Sequence, residues 1–115
     1  MKKIEAIIRK AKFEDVKQAL MDAEIDWFSY WDITGLGKST EEQVVRGQVF
    51  RSGYIQRRMI SIVVRDVNVE KTVHTILQSA RTGELGDGKV FVYDIEETYR
   101  IRNGESGPEA LYNKE

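Results

Sequence analysis

The chain has no cysteine and a single histidine among 115 residues. The first absence excludes a disulfide, a thiol nucleophile and a thiolate metal site, and it fits a reducing compartment. The second means that a Ser/His/Asp triad would have to be built on His74, which falls inside a predicted helix and reads there as a surface or packing residue. No apolar run approaches the roughly 18 to 20 residues of a membrane span, and the N-terminus lacks the apolar core of a signal peptide. The sequence therefore predicts a soluble, cytoplasmic protein without membrane insertion. Excess charge is missing too: Lys+Arg 18 against Asp+Glu 19 gives a formal net charge of -1. No global field recruits nucleic acid, so any anion binding must be local.

What is present suffices for one domain over residues 1–115, since 41% hydrophobic residues can fill a single core. Lys2 to Arg9 alternates, with Ile4, Ala6 and Ile8 on one face and Ile7 opposite, a strand pattern. Phe13, Val16, Ala19, Leu20 and Ala23 recur at three- and four-residue steps, the stripe of an amphipathic helix. Ile25 to Thr34, aromatic and β-branched up to Gly35, reads as a second strand. From about residue 36 to 56 the pattern breaks, and a loop of that length is usually functional or mobile. Arg57 to Arg65 is apolar on both faces and suits the interior of a sheet. Asn68 is placed to cap a second helix with the stripe Val69, Val73, Ile76, Leu77 and Ala80. Val90 to Ile95 makes a fourth strand, Thr98 to Arg102 a short extension, and residues 103–115 a loosely held tail.

Strand, helix, strand, strand, helix, strand predicts a ferredoxin-like α+β fold: a four-stranded antiparallel sheet with both helices on one face. Strands apolar on both faces imply that the second sheet face is covered in an oligomer; cover by the chain's own long loop is the alternative, ranked lower because that loop is polar.

Three segments suit anions: Gly35-Leu36-Gly37-Lys38, Gly86-Asp87-Gly88-Lys89 and Arg100-Ile101-Arg102. The run from Thr82 to Val92 is the most informative. Glycines let backbone N–H groups approach an anion and Lys89 adds charge, although such a run also serves as a tight turn before a strand. Strand alternation would set Arg100 and Arg102 on one face as two guanidinium forks, with exposed pairing to Glu96 or Glu97 as the alternative. Together the three segments point to a polyphosphate ligand.

Lys2 to Arg9, Gly35 to Lys38, Thr82 to Val92 and Arg100 to Glu105 resemble, in the same order, the PII nitrogen-regulatory signal-transduction proteins. The resemblance implies a homotrimer of ferredoxin-like subunits that binds ATP or ADP, with Mg²⁺ possible beside ATP, in clefts between neighbours. It further implies contact with a target through the long T-loop. That target would be an ammonium transporter or a nitrogen-assimilation enzyme. Carried over by position, Ile7, Ser29, Gly35, Gly37, Lys38, Val63, Gly86, Asp87, Gly88 and Lys89 would line the cleft, and Arg100 and Arg102 would complete the phosphate grip. Relatives commonly have arginine where Lys38 stands and threonine where Ser29 stands.

The T-loop departs further. Val45-Arg46-Gly47-Gln48-Val49-Phe50 stands where relatives often read Tyr-Arg-Gly-x-x-Tyr, so Phe50 offers no hydroxyl for nucleotide modification. Arg46, Gly47 and Phe50 are the expected partner contacts. Ser39 replaces the glutamine that holds Mg²⁺ and helps bind 2-oxoglutarate. The loop is one residue shorter than in relatives, so Arg57 is the best match to the effector-binding lysine with Arg58 as the alternative, which leaves 2-oxoglutarate binding an open question. The same resemblance implies a regulator and no enzyme; slow ATP hydrolysis or phosphoryl transfer at the cleft, with Asp87 orienting water, is the alternative. A metal-binding trimer of the same fold is opposed by there being one histidine and no cysteine.

Overall fold

The computed structural model describes residues 1–37, 42–45, 48–51 and 53–111, the two short middle segments by their backbone. Its strands are β1 (Lys2–Ile8), β2 (Ser29–Leu36), β3 (Glu42–Val45), β4 (Gln48–Arg51), β5 (Tyr54–Val64) and β6 (Lys89–Asp94). The helices are α1 (Phe13–Asp22) and α2 (Val69–Ala80). β2, β5, β1 and β6 form one four-stranded sheet in that order, and β3 and β4 form a separate hairpin. Every pairing is antiparallel, with Ile4 opposite both Ile62 and Val92. This is the ferredoxin-like arrangement that the element order predicts.

Alternation decides which side is buried. Ile4, Ala6 and Ile8 of β1 and Ile60, Ile62 and Val64 of β5 meet Val16 and Leu20 of α1 and Ile76 of α2 in one core. Burying each large aliphatic side chain there contributes roughly 1.5–3 kcal/mol. Both helices therefore lie on the same face. Thr72 is also fully buried, and its Oγ1 donates to the Asn68 carbonyl at 2.7 Å, so the hydroxyl is satisfied within the helix. In the predicted α2 stripe Leu77 stands partly exposed, with Thr72 buried in the helix interior face instead.

The other sheet face carries apolar side chains with no covering layer among the described residues. Trp31, Met59 and Ile7 lie in one register row across three strands, and Phe91 and Tyr93 continue the face on β6. Trp31, Phe91 and Tyr93 are each exposed by 40% or more, so most of that surface is available to a partner. Lys3 sits over the Tyr93 ring at 4.8 Å, and a hydrogen bond to Glu5 raises the Tyr93 pKa above its ordinary value.

Several boundaries differ from expectation, each for a local reason. β2 begins at Ser29 because Ile25 belongs to the end of α1: its N–H reaches the Leu20 carbonyl at 2.9 Å, and the Glu24 N–H reaches Met21 at 3.0 Å. These two bonds close a Schellman motif around Glu24, which takes a left-handed φ of 64°. β2 then continues through Gly35 and Leu36 because these pair with Ile55 and Tyr54, so β5 starts three residues earlier than Arg57. Asn68 makes no side-chain cap bond; the preceding short 3₁₀ turn already holds it in the right-handed helical region, outside the geometry a capping side chain needs.

The tail is not loose through residue 111. Tyr99 bridges Ser106, and Pro108–Leu111 forms a short 3₁₀ turn. The Arg100 N–H meets the Glu105 carbonyl at 2.7 Å, with Gly104 at φ 72° closing the bend. Residues 101–103 are thus a turn, and the strand alternation expected to align Arg100 with Arg102 does not occur there.

Candidate functional site

The glycine loop joins α2 to β6 and turns at Gly83, Gly86 and Gly88, all at positive φ. Gly88 allows no substitute: a Cβ there would lie 1.8 Å from the Ile7 carbonyl oxygen. Close approach to β1 is therefore why this position is glycine. Gly35 and Gly37 differ, since neither adopts a left-handed conformation and each leaves ordinary room for a Cβ. The Gly37 N–H closes the root of the long loop on the Gly53 carbonyl at 3.0 Å.

Asp87 braces this loop from within. One carboxylate oxygen accepts from the Thr82 hydroxyl and from Arg9 Nε at 3.0 Å; the other accepts from the Thr82 and Gly83 N–H groups, each at 2.9 Å. The Thr82 hydroxyl, then the Thr82 N–H, Arg9 and the Gly83 N–H hold its pKa well below the usual carboxylate range. A carboxylate so occupied serves as a structural brace.

Two arginines fix consecutive peptide planes of the loop. Arg9 Nη2 donates to the Leu85 carbonyl at 2.8 Å. Arg57 donates to the next carbonyl, that of Gly86, through Nε at 3.2 Å and Nη2 at 2.9 Å. In a trans peptide the N–H points opposite to the C=O, and no peptide bond here is cis. The N–H groups of Gly86 and Asp87 are therefore turned to the side away from the arginines, where Gly86 is exposed. Adjacent N–H groups so directed, with exposed Lys89 following, suit phosphate oxygens. Ile7 shares a register position with Lys89 and places its side chain on the same sheet face.

Ser29 and Val63 lie elsewhere. They line a cavity of about 590 Å³ with Trp27, Ser61, Thr98 and Leu111, between the far end of the sheet and the tail. Ser29 pairs with Ser61, and Lys89 pairs with Ile7, which pairs in turn with Met59, two residues from Ser61. Ser29 lies on β2 and Lys89 on β6, the two edge strands of the sheet, so they are three interstrand spacings, roughly 14 Å, apart across it and roughly 7 Å apart along it. One copy thus carries two separate ligand-suited clusters.

Arg100 belongs to the tail. Its side chain is 12% exposed, forms an ion pair with Glu105, and donates from Nη2 to the Glu109 carbonyl at 2.9 Å. Its acidic partner is Glu105, in place of the Glu96 or Glu97 that strand geometry suggested. Arg102 is exposed in the turn. Lys38, Ser39, Arg46 and Gly47 lie outside the described residues, and Phe50 is placed only by its backbone in β4. His74 is exposed on α2. The described residues contain no cluster of histidine, cysteine and carboxylates able to hold a metal, and no helix among them is long and apolar enough to cross a membrane.

Arg9 and Thr82 lie in segments the sequence singles out, but their bracing roles are not legible there, because these depend on the Asp87 carboxylate and the Leu85 carbonyl. Trp27, read in the sequence as part of the second strand, instead precedes β2 and stands 74% exposed beside this cavity.

The family model for nitrogen regulatory protein P-II matches residues 1–105. Among curated relatives, the nitrogen regulatory protein P-II of Pasteurella multocida is 38% identical over 112 residues, covering 96% of this chain and 100% of the relative. The Rhodospirillum rubrum protein of the same description is 39% identical with the same coverage. Nitrogen regulatory protein P-II 2 of Methanothermobacter thermautotrophicus is 41% identical, covering 96% of this chain and 97% of its own length.

Proposed function

This chain belongs to the nitrogen regulatory protein P-II family, and from that premise we propose that it is a homotrimeric signalling protein that binds ATP or ADP in clefts shared by neighbouring copies. Its T-loop, about residues 36–56, reports the bound nucleotide to an ammonium transporter or a nitrogen-assimilation enzyme. The observation that carries this reading is the separation of the two clusters. The glycine loop suits phosphates and the Trp27–Ser29–Val63 cavity suits a flat base, yet Lys89 and Ser29 stand on opposite edge strands of one sheet.

A single copy cannot close both on one nucleotide. Two copies packed through the uncovered sheet face can, and that packing also removes Trp31, Phe91 and Tyr93 from water. In the shared cleft, Lys89 and the Gly86 and Asp87 N–H groups of one copy receive the phosphates, with Gly35, Gly37 and Lys38 at the loop root. Ser29 and Val63 of the neighbour receive the base. Arg100 acts there by bracing the tail that walls the cavity, and Arg102 faces solvent from its tip. Mg²⁺, were it bound with ATP, would supply positive charge beside the phosphates.

2-Oxoglutarate is a weaker case. Were it to use Arg57, it would compete with the Gly86 carbonyl for the guanidinium. Phosphoryl transfer gains no support from Asp87, whose two oxygens accept three hydrogen bonds from within the loop and one from Arg9.

Calorimetry with ATP and with ADP, on protein whose mass is followed by light scattering, tests the proposal. Saturable binding near one nucleotide per chain in a trimer is expected, with Lys89→Gln weakening it. Absence of saturable binding for both nucleotides would sink it.

A further inference from the structure

Arg57 is the one buried arginine among the described residues, and its donors span two elements. Nε and Nη2 hold the Gly86 carbonyl, while Nη1 holds the carbonyl of Gln56 at 2.7 Å. Gln56 pairs with Thr34 at the end of β5 that leads into the long loop, next to the Leu36–Tyr54 pair and the Gly37–Gly53 bond. One rigid, planar cation therefore fastens the root of the T-loop to the peptide plane whose N–H faces the phosphate side. Lysine would do this less rigidly, because its three ammonium donors share one nitrogen and lack the planar fork that holds two carbonyls in fixed directions.

We propose that Arg57 is a positioning residue that couples the glycine loop to the T-loop root. This deepens the nucleotide reading above and rests on it. A phosphate that engages the Asp87 N–H polarises and fixes the peptide plane of residues 86–87. That plane's carbonyl is held by Arg57, so its rotation moves the guanidinium, and the guanidinium pulls on Gln56. A change at the phosphate end thereby reaches residues 53–56 through the Arg57 side chain, a route separate from any contact the nucleotide makes at Gly35, Gly37 and Lys38. The coupling requires that the two ends favour the same guanidinium position, which is what makes it reciprocal.

Amide hydrogen exchange on the full chain, with and without Mg²⁺-ATP, tests this, with calorimetry alongside. In the wild type, ATP is expected to slow exchange at residues 84–88 and also at 53–56. Arg57→Ala should bind ATP about tenfold more weakly, as expected for loss of charge-assisted hydrogen bonds, and at saturation should retain slowing at 84–88 while losing it at 53–56. Equal slowing at 53–56 in variant and wild type would overturn the coupling. Should Arg57→Ala fail to fold by circular dichroism, Arg57→Lys keeps the charge without the fork and is held to the same outcomes. If the wild type binds no ATP, the nucleotide reading fails by itself. Exchange in ligand-free protein then decides the positioning role: faster exchange at 84–88 in the variant supports it, and unchanged exchange overturns it.

Discussion

The carbonyl oxygen of Ile7 lies where a side chain on Gly88 would have to go: a Cβ at that position would be 1.8 Å away. β1 and the glycine loop are thus in backbone contact, and the loop's position is set by the first strand of the chain. Gly88→Ala combines this clash with a φ of 95°, so destabilisation of about 3 kcal/mol or more is expected. Chemical denaturation followed by circular dichroism measures it. A loss below about 0.5 kcal/mol would show that the loop can move off β1 at little cost.

Acid should expose the brace at Asp87. Its folded pKa is depressed, so the carboxylate contributes its stabilisation above the ordinary carboxylate pKa, near 4, and loses it as pH falls below that value toward the folded pKa. Melting temperatures of the wild type should therefore fall between about pH 4 and pH 2. Asp87→Asn should melt lower at neutral pH and show a shallower acid limb. Parallel acid limbs would show that Asp87 is not a source of the dependence.

Glu24 occupies the left-handed position that ends α1, with φ 64°. Glycine holds this conformation without the steric cost borne by a side chain, about 1–2 kcal/mol, though it adds entropy to the unfolded chain. Glu24→Gly should therefore stabilise by about 0.5–1 kcal/mol, read as a rise in melting temperature. A fall would mean that the Glu24 side chain makes a compensating contact.

Met59 sits mid-row between Trp31 and Ile7 on the uncovered sheet face, away from the helix-side core. Met59→Asp should leave the circular dichroism spectrum intact while reducing the mass in light scattering from trimer to monomer. An unchanged mass would place the intersubunit contact elsewhere.

The elements whose partners lie within their own pattern were legible in the sequence. β1, α1 and α2 show their periods directly, and their bounds agree with the reading to within a residue or two. Elements defined by remote pairing were not. β2 gained Leu36 only because Tyr54 lies opposite it, and the β3–β4 hairpin inside the supposed irregular stretch reveals itself through cross-strand pairs such as Val44 with Val49. At the site, the glycine positions were readable because a positive φ demands glycine, whereas Arg9 and Arg57 were not assigned as its supports. Their roles arise from carbonyls 76 and 29 residues away. Arg100 misled for a related reason: alternation assumed a strand, and Gly104 with Glu105 bent the chain back instead.

Under the shared-cleft reading proposed above, the placement of Ser29 and Lys89 on opposite edges of the sheet carries a genetic consequence. A copy damaged only at Lys89 and a copy damaged only at Ser29 each retain the half that the other lacks. Mixed within one assembly, some neighbouring pairs join two damaged halves, but others join two intact ones. Two inactive variants expressed together should therefore recover a fraction of the binding that neither shows alone, and the same damage placed in a single copy should not be rescued by another copy of itself.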